Sequence, residues 1–342
     1  MNPNYDVMTI LRIAKYYYID ELSQQEIALK ENIHRTQISR LLKIAREEGF
    51  VKIEISAPDS TRAYDLSRRL EDKLHLNQVM VTPELPLKKI DSQSADDALT
   101  FFAARYIEKW VPKFNKIGVG VGKTLYQTTA NISAHPSDNN MDFYAVSGHV
   151  GTDNPYLQST IICDRLASAF GGKVHYNNYS MVTNTNHLSD IDKSKLNAMQ
   201  EEFKHLDAVL VSVGGQFALD YPYFTEFYDQ VKDFNIQKVF SRPHANVLGN
   251  VYYEDGRRLS LPEPFRMTSM NADDIQKNPH VLCIARGSHK VRPVIFAAKY
   301  GYINELVTDE YTARLILEEL QKMKEAEATG TPAQSNKTMA VK

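Results

Sequence analysis

Four short apolar runs, each ending in a glycine turn, constrain this chain more than any other feature. Residues 116–121 lead into Gly122-Lys123-Thr124, 143–146 into Ser147-Gly148, 208–213 into Gly214-Gly215, and 281–285 into Arg286-Gly287. Helical stretches separate them, and Val79-Met80-Val81 and Leu306-Val307 carry the alternation towards both ends. Strands that alternate with helices settle as parallel neighbours, because each return passes through a helix on a sheet face. The pattern predicts an α/β fold whose mostly parallel sheet is covered on both faces.

A length of 342 residues favours two domains, and the first 56 residues read differently from the rest. Residues 7–18 carry Ile10, Ile13, Ala14 and Tyr17 on one helical face. Ser23-Gln24-Gln25-Glu26 has the spacing of a capping box, so a second helix starts there and runs to Glu31. Asn32 suits a left-handed turn, a third helix follows over about 35–48, Gly49 ends it, and residues 51–55 alternate as a strand. Ser56-Ala57-Pro58-Asp59-Ser60 reads as a linker. The predicted organisation is a three-helix domain with a short strand at 1–56, a linker at 57–60, an α/β domain at 61–322, and a disordered tail at 325–342, which is poor in apolar residues. Leu66, Leu70 and Leu74 form an apolar stripe directly after the linker, on a helix placed to transmit subunit rearrangement to the first domain, so Leu70 is expected to matter for oligomerisation.

Lys and Arg total 40 against 42 Asp and Glu, a net charge of −2 that excludes a polycation, so any DNA surface is local. The third helix supplies one. Ile38, Leu41, Leu42 and Ala45 share its buried stripe, which leaves Thr36, Arg40 and Lys43 centred on the opposite face, with Gln37 and Ser39 flanking and Arg35 to one side. From Asn32 to Arg46 there are four basic residues and no acidic one. Arg and Gln make paired hydrogen bonds to purine edges, and Lys and Ser hold phosphates. Arg35, Thr36, Gln37, Ser39, Arg40 and Lys43 are the candidate DNA-contacting residues.

The turn Gly120-Val121-Gly122-Lys123-Thr124 points backbone amides and a helix start at an anion. A Walker loop needs glycine where Ile117 stands, and a dinucleotide fingerprint needs it at Lys123, so neither nucleotide motif fits. In a parallel sheet the strand ends share one edge, where Gly120, Gly122, Lys123, Thr124, Gly148, Gly214, Gln216 and Lys290 are expected to line one pocket. Their cationic and polar character suits a phosphorylated polyol. Cys163 and Cys283 lack partners at metal-ligand spacing, so neither a disulfide framework nor a metal site is expected, and no Ser-His-Asp or Cys-His order marks a catalytic centre. Neither a signal peptide nor a membrane-length apolar run is found, so a soluble cytoplasmic protein with no membrane partner is expected.

Residues 17–28, 38–42 and 45–51 resemble the amino-terminal domain of the SorC family of bacterial sugar-responsive regulators. That resemblance implies a winged helix-turn-helix, with Glu31-Asn32-Ile33 replacing the family's usual Leu-Gly-Ile turn. The Gly120–Thr124 turn is similar to the family's phosphate loop, Gln158-Ser159-Thr160 stands where members often carry Gln-Ala-Asn, and Lys290 with residues 303–313 is a further match. His244-Ala245-Asn246-Val247 departs from the usual Val-Gly-Asp-Ile. Over about residues 5–322 the resemblance implies a Rossmann-like effector domain related to sugar-phosphate isomerases, Gln158 and Thr160 on the effector, and a homodimer or homotetramer. The expectation is a transcription regulator of a carbohydrate catabolic operon, with operator DNA and a phosphorylated sugar as partners and no cofactor. Two rivals are a sugar-phosphate isomerase or lyase with a DNA-binding head, and a sugar-binding scaffold that never touches DNA.

Overall fold

The computed structural model describes residues 6–52, 61–83, 92–133, 140–149, 158–215, 245–253, 255–258, 260–261 and 263–329. The chain divides into two compact units, Met1–Asp59 and Ser60–Lys342. The expected linker at 57–60 lies outside the described residues.

The first unit is built from α1 (Val7–Tyr18), α2 (Gln24–Glu31) and α3 (Arg35–Glu47). The Asp6 carboxylate opens α1 by accepting from the Thr9 amide at 2.6 Å. Ile10, Ile13 and Ala14 recur at helical spacing and meet Ile27, Ile38, Leu41, Leu42 and Ala45 in one core. Tyr16, Tyr17 and Tyr18 pack half-buried against its edge. Gly49, at φ +76°, takes the left-handed conformation that stops the chain after α3. Val51 and Lys52 form no strand, and the remainder of the predicted wing lies outside the described residues.

The second unit begins with α4 (Thr61–Leu74), β1 (Gln78–Thr82), α5 (Ser92–Trp110), β2 (Lys116–Val119), α6 (Lys123–Ala130), β3 (Asp142–Ala145), α7 (Ser159–Phe170) and β4 (Lys173–His175). It continues through β5 (Val182–Asn184), α8 (Asp190–Phe203), β6 (Ala208–Val211), β7 (Val213–Gly214), β8 (Ala245–Val247), β9 (Asn250–Tyr252) and β10 (Phe265–Met267). The last elements are α9 (Ala272–Lys277), β11 (Val281–Ile284), α10 (Val291–Lys299), β12 (Glu305–Asp309) and α11 (Glu310–Thr329). Among the described residues, seven strands pair in the order β1-β12-β11-β6-β2-β3-β4, all parallel.

Side chains alternate across each strand, so one strand feeds two cores. Val209, Val211, Val281 and Cys283 face a core that includes Leu66, Leu70 and Leu74 of α4 and Ala313 and Ile316 of α11. Ala208, Leu210, Leu282 and Ile284 face the other, with Leu99 and Ile107 of α5 and Ile162 and Leu166 of α7. Burial on both faces is why these strands read as unbroken apolar runs. The stripe Leu66, Leu70, Leu74 therefore belongs to the interior of this unit, at 5%, 0% and 5% exposure, rather than to a subunit contact.

Two further differences from the sequence reading have local causes. The predicted strand at 208–213 breaks at Ser212, and β7 turns away to pair antiparallel with β8. Helix α11 runs on to Thr329, past the predicted start of the tail at Glu325. Glu, Lys and Ala are strong helix formers without being apolar, and Gln321 Nε2 donates to Glu325 Oε1 at 2.7 Å one turn on.

Candidate functional site

In the first unit, Ser23 Oγ accepts from the Glu26 amide at 3.3 Å while Glu26 accepts from the Ser23 amide at 2.8 Å, which closes the capping box and starts α2. Asn32 sits at φ +52° and turns the chain, and the Ile33 amide returns to the Ala28 carbonyl at 3.0 Å. Arg12 forks onto Glu31 at 3.0 and 2.8 Å, fastening α1 to the end of α2, a contact that no local sequence pattern announces. Helix α3 then presents Arg35, Thr36, Gln37, Ser39, Arg40 and Lys43, all exposed, opposite buried Ile38, Leu41, Leu42 and Ala45.

Two of the six are already engaged at the start of α3. The Thr36 amide donates to His34 Nδ1 at 3.4 Å, and the His34 amide donates to Gln37 Oε1 at 3.2 Å. Lys43 lies 3.5 Å from Glu47, an exposed pair worth little in water and easily opened by a phosphate.

In the second unit the carboxyl ends of β2, β3, β6, β11 and β12 share one edge. The β2 turn leans on the β6 turn: the Gly120 amide donates to the Leu210 carbonyl at 2.9 Å, and a Cβ on Gly122, whose φ is +147°, would stand 3.1 Å from Ser212 Cβ. Gly122 precedes α6 with no side chain capping the helix, leaving first-turn amides without a cap; Lys123 there is exposed and Thr124 half-buried. Past β6, Lys290 Nζ donates to the Val213 carbonyl at 2.7 Å. Burial lowers the Lys290 ammonium from its usual pKa, and one bond to Val213 leaves two of its three N–H donors for a ligand. Next to β3, Ser159 Oγ donates to the Ser147 carbonyl at 2.8 Å, joining that turn to the start of α7, where Gln158 is buried and Thr160 half-buried.

Other expected members of the pocket have protein close beside them or lie outside the described residues. A Cβ on Gly120 would meet Leu248 Cδ2 at 2.5 Å, and one on Gly148 would meet Thr268 Oγ1 at 2.2 Å and Met181 Cα at 2.7 Å. Protein therefore fills the space beside both glycines. Gly214 pairs with Asn246 in the β7–β8 ladder, and Gln216 lies outside the described residues.

Missing from the sequence reading is a brace at the same edge. Arg286 Nε donates to Asp309 Oδ2 at 2.7 Å, and the guanidinium also bonds Asp96. Asp309 in turn accepts from the Thr312 amide at 2.8 Å, so it caps α11 while holding Arg286. Both cysteines are buried, and burial pushes the Cys283 thiol up to about 12. Among the described residues no cluster of His, Cys, Asp or Glu fits a metal ion, and no helix is long and apolar enough to cross a membrane.

Comparison with known proteins adds the family. The sugar-binding domain family matches residues 59–318. The deoxyribonucleoside regulator of Bacillus subtilis is 24% identical over 322 residues, covering 91% of this chain and 97% of that protein. The sorbitol operon regulator of Klebsiella pneumoniae is also 24% identical over 322 residues, covering 91% and 98%. The crystal structure of full-length SorC from Klebsiella pneumoniae superposes with a TM-score of 0.67 at 22% identity, covering 92% of this chain and 99% of that one.

Proposed function

Because the chain belongs to the SorC family of sugar-responsive regulators, we propose that it binds operator DNA through α3 and a phosphorylated sugar at the carboxyl edge of its parallel sheet. It is a transcription regulator and not an enzyme; its curated relatives are named as a deoxyribonucleoside regulator, a sorbitol operon regulator and a transcriptional regulator. One observation carries the reading. A helix-turn-helix unit with no carboxylate from Asn32 to Arg46 is joined in one chain to a unit that a sugar-binding domain matches over residues 59–318.

The phosphate is read from the uncapped start of α6 behind Gly122 and from the desolvated ammonium of Lys290, both suited to an anion. The sugar class follows the relatives: one is named for sorbitol and one for deoxyribonucleosides, so a small polyol or pentose phosphate is the effector. Two recognition helices are needed to find an operator tightly, which calls for a homo-oligomer, a dimer or a tetramer. The test is thermal denaturation of the full chain with a panel of polyol and pentose phosphates beside their unphosphorylated parents. A ligand at 100 times its Kd stabilises the folded state by about 2.7 kcal/mol. Melting raised by a phosphate and not by its parent sugar supports the reading; no phosphate raising it contradicts it.

A further inference from the structure

Given that α3 enters the major groove as proposed above, we infer that Gln37 reads the operator through its amide nitrogen alone, so that the pair it selects is G·C rather than A·T. His34 precedes α3 at φ −66° and ψ 141°, and its backbone N–H lies 3.2 Å from Gln37 Oε1. A backbone N–H only donates, so the carboxamide atom that meets it is the oxygen. The His34 ring closes the other half of the cap: Nδ1 accepts from the Thr36 amide at 3.4 Å and stands 2.9 Å from Thr36 Oγ1. Together the two side chains satisfy two of the amides at the start of the helix.

That engagement changes what Gln37 offers to a base. An unrestrained glutamine lays Oε1 and Nε2 side by side on adenine N6 and N7. Drawn back to the His34 amide, Oε1 gives one of its two lone pairs to the cap and is held towards the start of the helix, so the edge that the carboxamide turns to a base is Nε2 with its two hydrogens. Guanine shows two adjacent acceptors, N7 and O6, in the major groove, whereas adenine sets a donor, N6, beside its one acceptor. A donor-only group fits guanine and meets the adenine amine donor against donor. Thymine O4 offers a single acceptor beside a methyl group. His34 is thus a positioning residue, and the part that positions is its backbone N–H.

This can be separated from a structural role because φ −66° is the angle that proline imposes. His34→Pro removes the N–H while keeping the local backbone angle, whereas His34→Ala removes the ring and keeps the N–H. The experiment selects binding sites from a randomised DNA duplex library with the full-length parent, Gln37→Ala, His34→Ala and His34→Pro. The position at which Gln37→Ala loses preference is expected to be G·C in the parent and in His34→Ala. Changing it to A·T lowers parent affinity about tenfold, and His34→Pro, with Oε1 released, accepts A·T there. An A·T pair in the parent, no position responding to Gln37→Ala, or a His34→Pro preference identical to the parent's overturns the inference. Should His34→Pro fail to fold, parent against Gln37→Ala still decides. A library that yields no motif for the parent removes the DNA-binding reading itself.

Discussion

Lys290 donates through Nζ to the carbonyl of Val213 at 2.7 Å, which sets a partly desolvated ammonium at the point where β6 breaks and β7 turns away. The relationship gives one side chain two duties: it satisfies a backbone acceptor, and it offers its other donors to an anion. A pH dependence follows. Burial lowers the folded-state pKa of Lys290 below the unfolded value of 10.5, so between the two the unfolded chain binds more protons and stability rises with pH. Below both values the penalty is constant, and above 10.5 it is gone. Lys290→Met removes that rise. Urea unfolding of parent and variant from pH 7 to 10.5 checks it: the stability difference between them should shift towards the parent as pH increases, and a constant difference would contradict the assignment.

Gly122 occupies φ +147°, a region that other residues adopt only under strain, and a Cβ there would stand 3.1 Å from Ser212 Cβ. Gly122→Ala is expected to destabilise the chain by about 1–3 kcal/mol and to abolish the thermal shift given by a phosphorylated sugar. Thr124→Ala, which places no new atom in the turn, should weaken that shift with little loss of stability. Denaturant unfolding with and without ligand measures both.

Leu70 is fully buried in the core of the second unit. Leu70→Ala should cost about 2–5 kcal/mol by lost burial and the cavity left behind. Sedimentation of the folded fraction should show the same assembly as the parent, since this side chain faces the interior and not a neighbouring subunit.

Arg40 is exposed on α3, whose buried residues are Ile38, Leu41, Leu42 and Ala45. Arg40→Ala should leave the melting temperature unchanged. It should weaken DNA binding by about 1–3 kcal/mol, with relaxed preference at one position, if its guanidinium forks onto a guanine. Titrations against a duplex selected by the parent, at fixed salt, report both effects.

What was legible in the sequence was what neighbours along the chain decide. The Ser23–Glu26 box, the left-handed Asn32 and the stop at Gly49 each need only a few adjacent residues, and the structure holds all three. The central strands β6 and β11 were equally plain, because burial on both faces leaves them wholly apolar. Partners from distant segments were not legible. Gly148 looked like a ligand turn, and the atoms that crowd it come from Met181 and Thr268. The stripe on α4 showed that Leu70 is covered but not by what. Arg286 looked like a residue of a turn until Asp309 and Asp96 were seen on either side of it. Gln37 looked like a reader of bases; its bond to the His34 amide depends on the backbone at the start of α3, which no residue pattern displayed.

A sugar-controlled regulator requires coupling between its two ligands, since an effector acts as a switch only when it favours one arrangement of the protein over another. The most direct measurement is the affinity of the full chain for a duplex selected from the randomised library, with and without the phosphorylated sugar that raises its melting temperature, followed by calorimetry of that sugar with and without the duplex. The expected result is a change of at least about fivefold in DNA affinity, matched by the same factor in sugar affinity. Identical affinities in both titrations, for a sugar phosphate and a duplex that each bind, would mean that the two units do not communicate and that the chain is not a sugar-controlled regulator.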